Sequence, residues 1–311
     1  MPLEYAPDPA CADAYPTRAP ERERWMERED PVLWQDWEAD APITREEAAF
    51  FERNGYLVLK DLFTPAEVQA LVARAGEIRS RLAGSDADHV VTEPGGDAVR
   101  TVFQLEAEDA LMDRLSRDAR LAGIARFILG DEVAIHQSRL NYKPGFTGKE
   151  FYWHSDFETW HAEDGMPRMR ALSASLLLTD NVAHNGALML MPGSHKTYVS
   201  CRGETPEDNH KSSLARQEVG TPSQESLADM ARLCGIDDAE GPAGTLILFD
   251  CNTLHGSNGN ITPSPRSNAF FVYNAVSNAP VAPFAAPAPR PDYLARRGTP
   301  EALEVREGAL A

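Results

Sequence analysis

Two hydrophobic periodicities divide the chain. Up to about Gly130 apolar residues recur at helical spacing, and from Glu132 onward they come in short β-rich runs. Thr44 and Glu47 have capping-box spacing, and Thr64-Pro65-Ala66-Glu67 repeats it with a proline at the first helical position. The run VQALVARAGEIRSRL then predicts a helix, and GYLVLKDLF between the two starts predicts a short strand. DARLAGIARFILG reads as a further helix that stops at Gly130. EVAIHQSRLNYK, ALSASLLLTD, GALMLMPGS, TLILFD and SNAFFVYNAVSN read as strands bounded by turn residues. Helices mostly ahead of the strands predict a mainly β fold with flanking helices, a sandwich or barrel. A parallel α/β sheet would need helices between the strands.

Three stretches break the pattern. Residues 1–40 are rich in Pro, Glu, Asp and Trp and read as an extended N-terminal arm. Residues 193–244 are irregular apart from the helix candidate QESLADMARLC, and 193–223 is a candidate lid loop. The proline-rich chain after Asn278 is expected to wrap the surface. The expected organisation is therefore an arm (1–40), a domain (41–297) and a C-terminal tail (298–311).

Composition narrows the function classes. With 42% hydrophobic and 25% charged residues among 311, the chain is neither disordered nor fibrous. Thirty basic residues against 48 acidic ones give a net charge of −18, which repels nucleic acid and anionic lipid. No apolar run approaches the roughly 20 residues that span a bilayer, so no membrane association is expected. The N-terminus lacks a basic segment followed by an apolar one, so no secretory signal is expected. Cysteines 11, 201, 234 and 251 show no CxxC spacing and are expected as reduced thiols in a cytoplasm.

The candidate chemistry lies in His154-Ser155-Asp156. In a strand, side chains at i and i+2 share a face, so one imidazole and one carboxylate are presented together. His255 follows TLILFDCNT at the end of another apolar run. Two histidines and a carboxylate form the facial triad of non-haem Fe(II) sites. The His-x-Asp pair alone is weak evidence, because surface and core residues meet that spacing often. Arg266 strengthens it. It lies eleven residues after His255 at the start of the next predicted strand, and an antiparallel neighbour would return it towards the metal. A guanidinium there can clamp a carboxylate in a bidentate fork, as 2-oxoglutarate requires. Gln137, Arg139, Asn141 and Lys143 share one face of their strand, as do Ser173 and Ser175. These faces either meet solvent or line a polar cavity. Trp153, Trp160, Phe249 and Phe270 read as core or cavity walls, Glu158 as a hydrogen-bond partner or a solvated residue, and His161 as a turn residue.

The run FYWHSDFETWHAEDGMPRMRALS resembles the signature of the ectoine hydroxylases, a branch of the phytanoyl-CoA dioxygenase superfamily of Fe(II)- and 2-oxoglutarate-dependent oxygenases. The likeness continues through LTDNVAHNGALMLMPGSHK, LILFDCNTLHGSNGNITPSPRSNAFFVYNAVSN and APRPDYLA, covering roughly residues 40–295. It implies a double-stranded β-helix (jelly-roll, cupin-like) core with iron on His154, Asp156 and His255. It implies 2-oxoglutarate held by Arg266, with Asn141, Lys143, Phe151 and Ser175 around it. Substrate residues map onto Gln137, Arg139, Thr159, Trp160, Phe249 and Arg290. The implied reaction consumes O2 and converts ectoine to 5-hydroxyectoine in osmotic-stress metabolism, with succinate and CO2 released. Trp160 would offer a cation–π face to the amidinium, Gln137 would accept from a ring N–H, and Arg290 would pair the carboxylate. A homodimer is the implied assembly. Two alternatives stand beside this one: an oxygenase of the same fold acting on another small polar molecule such as an amino acid, and a metal-binding jelly-roll sensor or zinc hydrolase.

Overall fold

The computed structural model describes residues 12–19, 23–92, 98–213 and 219–310. In chain order its strands begin with β1 (Trp25–Glu27), β2 (Tyr56–Leu59), β3 (Val90–Thr92), β4 (Val99–Phe103), β5 (Val133–Lys143) and β6 (Phe151–His154). They continue with β7 (Ala171–Leu177), β8 (Leu188–Leu190), β9 (Thr197–Val199), β10 (Asp237–Ala239), β11 (Leu246–Asp250), β12 (His255–Ser257) and β13 (Arg266–Ala275). A seven-stranded sheet runs β2-β11-β7-β13-β5-β4-β3, and a four-stranded sheet runs β10-β8-β12-β6. Among the described residues every strand pairing within these sheets is antiparallel, as expected of a jelly roll.

Period-two alternation explains the layers. Leu172, Ala174 and Leu176 of β7, Leu246 and Leu248 of β11, and Ala269, Phe271 and Tyr273 of β13 join one apolar cluster. That cluster also takes Ala48 and Phe51 of α1 (Arg45–Asn54) and Leu71, Ala75 and Ile78 of α2 (Pro65–Arg81). The alternate residues Leu177, Ile247, Phe249 and Phe270 pack with Leu188 and Leu190 of the small sheet. The large sheet is thus buried on both faces, helices on one and the small sheet on the other. Both expected capping boxes form: Glu47 accepts from the Thr44 N–H and Glu67 from the Thr64 N–H, each at 2.8 Å.

Two sequence expectations change. First, the arm is not simply extended. Its β1 pairs with β9, and Tyr15 and Arg18 are buried against the domain. Residues 1–11 of that arm, Cys11 included, and 20–22 lie outside the described residues. Second, the segment 193–223 is not uniformly loop. Ser194, His195 and Tyr198 are fully buried, and 197–199 form β9. Residues 214–218 of the expected lid lie outside the described residues. The tail lies against the domain: Leu303 N–H donates to the carbonyl of Val133 in β5 at 2.8 Å, and Leu310 is buried in the cluster that α1 and α2 join. Among the described residues no helix is long and apolar enough to cross a membrane.

Candidate active site

β6 ends at His154, and Asp156 opens a helix (Asp156–Thr159) that continues through a π-helical stretch, Trp160–Asp164. The two residues therefore do not share a strand. They still meet because Ser155 remains extended (φ −103, ψ 129), which preserves the i, i+2 relation across the junction. His255 begins β12, which lies beside β6 with His255 opposite His154. His154 Nε2 lies 3.6 Å from Asp156 Oδ1, and His255 Nε2 lies 3.8 Å from Asp156 Oδ2. One ligand atom from each of the three residues falls within 4.8 Å of the other two.

Hydrogen bonds orient these rings. His154 Nδ1 contacts the Tyr152 carbonyl at 2.7 Å, and His255 Nδ1 contacts the Thr253 carbonyl at 2.9 Å. A carbonyl accepts only from N–H, so each Nδ1 carries a proton and each Nε2 is turned towards Asp156. Burial pushes the His255 imidazole down to about 4, and the neighbouring His154 adds to this against the opposing Asp156. Burial alone would raise the Asp156 carboxyl, but His255, His154 and Arg139 hold it well below the usual carboxylate range. Ser173 Oγ donates to Asp156 Oδ2 at 3.1 Å. Two imidazoles whose Nε2 atoms converge on an oriented carboxylate suit a divalent metal such as Fe(II).

Arg266 reaches this region from the opposite sheet. β13 pairs with β5 and β7, not with β12, so the expected strand neighbour is instead a facing layer. A single pocket is lined by His154, His255 and Arg266, together with Arg139, Asn141, Lys143, Phe151 and Arg100. Arg266 Nη1 donates to the Gly186 carbonyl at 2.7 Å. With the two amides oriented to satisfy their neighbours, Asn181 Oδ1 accepts from Nε at 3.2 Å and Asn268 Oδ1 from Nη2 at 3.3 Å. Those three bonds leave one N–H on each Nη, and no carboxylate among the described residues pairs with them. Burial pushes the guanidinium down to about 10, so it stays charged at neutral pH. A buried cation held by neutral acceptors and facing a pocket suits an anionic ligand. Lys143 Nζ donates to Ser257 Oγ at 2.9 Å nearby, and Ser175 Oγ lies 2.9 Å from the Asn268 amide.

The remaining expected residues are spread more widely. Gln137, Thr159, Trp160, Phe249 and Arg290 are not among the lining residues of this pocket. Phe249 touches its inner wall, its ring 4.8 Å from that of His255. Gln137 accepts from Arg139 Nη1 and donates to the Leu294 carbonyl at 2.5 Å. A bulge opposite Val272 and Tyr273 takes up His136, so the shared face of β5 runs from Gln137 to Lys143. Trp160 is 2% exposed and meets the His136 ring edge-on at 5.3 Å. Arg290 has its fork engaged by Asp164, at 2.8 and 2.5 Å, so its principal carboxylate partner is internal. One minor expectation fails. His161 is not a turn residue but a fully buried helical one, stacked on Phe284 at 4.0 Å. Of the two readings of Glu158 the hydrogen-bonded one holds: it is buried and ion-paired to Arg18. Arg100, whose guanidinium lies 4.7 Å from the Phe151 ring, was not anticipated, because β4 carries no clear period-two signal.

Comparisons with known proteins identify relatives of the whole chain. The phytanoyl-CoA dioxygenase (PhyH) family model matches residues 51–268. The ectoine dioxygenase of Sphingopyxis alaskensis is 58% identical over 298 residues, 96% of this chain and 97% of the relative. That of Stutzerimonas stutzeri is 54% identical over 295 residues, 95% and 98% of the two chains. The crystal structure of EctD from S. alaskensis with 2-oxoglutarate and 5-hydroxyectoine matches with a TM-score of 0.89 at 54% identity, covering 96% of this chain and all of that one. The structure of the same protein with bound Fe matches at 0.88 and 53%, with the same coverage. The chain belongs to the phytanoyl-CoA dioxygenase family and, within it, to the ectoine dioxygenases.

Proposed function

We propose that this protein hydroxylates ectoine to 5-hydroxyectoine, with Fe(II) as cofactor and 2-oxoglutarate and O2 as cosubstrates. The observation that carries the reading is one pocket lined by His154 and His255, the two imidazoles that converge with Asp156, and by Arg266, whose fork no carboxylate among the described residues pairs. A metal sensor or zinc hydrolase has no use for that fork. Solved relatives with Fe, and with 2-oxoglutarate and 5-hydroxyectoine, support the same assignment.

When bound, the iron couples oxidative decarboxylation of 2-oxoglutarate, giving succinate and CO2, to insertion of the second oxygen atom of O2 into a C–H bond. The chain supplies binding and orientation. His154, Asp156 and His255 would hold the iron, with the backbone-fixed Nδ1–H groups setting the ring planes. Arg266 would take the far carboxylate of 2-oxoglutarate end-on, and Asn141, Lys143, Phe151 and Ser175 would shape that end of the pocket. For the substrate carboxylate we favour Arg139. It lines the pocket, hydrogen-bonds only Gln137 among the described residues, and stacks over Phe270 at 4.7 Å. Arg290, already bound to Asp164, would position the wall that carries Thr159 and Trp160. Gln137 and Phe249 would complete the substrate side through their contacts with Arg139 and His255.

The free thiols of Cys201, Cys234 and Cys251 support a reducing, cytoplasmic setting, and the family resemblance supports a homodimer. The deciding experiment is product analysis by mass spectrometry after anaerobic iron loading and addition of ectoine, 2-oxoglutarate and oxygen. Succinate without 5-hydroxyectoine, with turnover of an amino acid instead, would reassign the substrate. Absence of oxygen-dependent succinate release would remove the oxygenase reading.

A further inference from the structure

The N-terminal arm reaches the site's surroundings through one side chain. Arg18 is buried, and its Nε and Nη2 donate to the two carboxylate oxygens of Glu158 at 3.0 and 2.9 Å. Its Nη1 donates to Glu163 and to Thr205 Oγ1, each at 2.7 Å. Glu158 and Glu163 stand on either side of Trp160 in the helical segment that Asp156 opens. Asn209 donates to the same Glu163 oxygen at 2.8 Å. The backbone runs alongside: Arg18 N–H donates to the Cys201 carbonyl at 2.9 Å, and Thr17 Oγ1 accepts from Cys201 N–H at 3.0 Å. Gly220 closes the arrangement, since a Cβ there would fall 2.3 Å from Glu158 Oε2 and 2.7 Å from Arg18 Nη2.

One guanidinium therefore joins three separate stretches: the arm, the helix carrying Asp156, Thr159 and Trp160, and residues 201–209 of the expected lid. A planar fork is needed, because a lysine could not bond both oxygens of Glu158 and also reach Glu163 and Thr205. None of these contacts involves His154, Asp156, His255 or Arg266.

We propose that Arg18 is a positioning residue for substrate binding: it latches residues 201–209 onto the 156–164 helix and so fixes the wall bearing Thr159 and Trp160. The proposal rests on the substrate-side reading of those two residues given above.

The test uses the full chain with Arg18→Lys, and with the triple variant Arg18→Met, Glu158→Gln, Glu163→Gln. The triple variant removes the buried carboxylates together with their cation, so folding is not confounded by unpaired charge. Hydrogen exchange of residues 201–213 should quicken about fivefold or more in both variants. The KM for ectoine should rise about tenfold with kcat changed much less, while Fe(II) and 2-oxoglutarate affinities stay within about twofold. Unchanged exchange in 201–213 overturns the latch. Parallel weakening of iron, 2-oxoglutarate and ectoine overturns the substrate-specific role and marks a general scaffold. If the unaltered chain binds iron and 2-oxoglutarate but not ectoine, the functional reading fails, and the exchange comparison still decides the latch.

Discussion

Ser155 Oγ donates to Asn252 Oδ1 at 2.9 Å, tying together the two chain segments that carry the metal-binding side chains. Ser155 stands between His154 and Asp156, and Asn252 stands three residues before His255. Asn252 Nδ2 donates onward to the carbonyls of His195 and Thr197 at 3.0 and 3.2 Å, which anchors the tie beside β9. Partners of this kind around ligating residues are worth about 10–100-fold in metal affinity. Asn252→Ala should weaken Fe(II) or Co(II) binding by at least about tenfold, measured by anaerobic titration. Ser155→Ala should cost less, because the other Asn252 bonds survive. A lower melting temperature with unaltered metal affinity would reduce the tie to scaffold.

Arg266 offers one N–H from each Nη to the pocket, a pair matched to a carboxylate. Arg266→Gln keeps part of the length and loses both the charge and the fork. The KM for 2-oxoglutarate should rise about 100-fold, as expected for losing a charge-assisted bidentate contact. Arg266→Lys should fall between, because an ammonium supplies charge without the planar fork. Decarboxylation of labelled 2-oxoglutarate checks both, and an unchanged KM in the glutamine variant would move the cosubstrate elsewhere.

What could be read from the chain was local. Both capping boxes involve residues three apart, and the His154–Asp156 pair needs only one extended residue between them. Arg266 was found by spacing, although the reason differs: its strand faces β12 across the sandwich instead of lying beside it. His161 is helical instead of a turn residue because the chain passes from strand to helix at Ser155, a change the local run does not signal. The arm was opaque for a physical reason. Arg18 finds Glu158 140 residues away, and an irregular Pro- and Glu-rich segment leaves no periodic trace of such a partner.

His195 is fully buried, with Nε2 at 3.2 Å from the Glu52 carbonyl and Nδ1 without a partner among the described residues. Burial, against the attraction of Asp250, pushes the imidazole down to about 4. Between about pH 4 and the ordinary value near 6.5 the unfolded chain binds this proton and the folded chain does not. The contribution is therefore complete above about pH 6.5 and is lost as pH falls towards 4. Denaturant unfolding of the metal-free protein should lose about 2–3 kcal/mol on this account across that window. His195→Gln should flatten the pH dependence there, and an identical slope in the variant would clear His195 of the effect.

Two glycines should respond to alanine with opposite signs. Gly55 ends α1 at φ +76, where a Cβ would fall 2.3 Å from His195 Nδ1 and 2.7 Å from Thr253 Oγ1. Left-handed backbone costs a non-glycine residue roughly 1–2 kcal/mol before any clash. Thr253 also supplies the carbonyl that fixes His255, so the displacement reaches the metal site. Gly55→Ala should cost about 3 kcal/mol in all and weaken metal binding as well. Gly76 lies inside α2, with nothing within 4 Å of a built Cβ. Gly76→Ala should stabilise by about 0.5–1 kcal/mol through helix propensity alone, leaving metal affinity untouched. Calorimetry paired with metal titration separates the two, and equal effects on both variants would refute the link from Gly55 through Thr253 to His255.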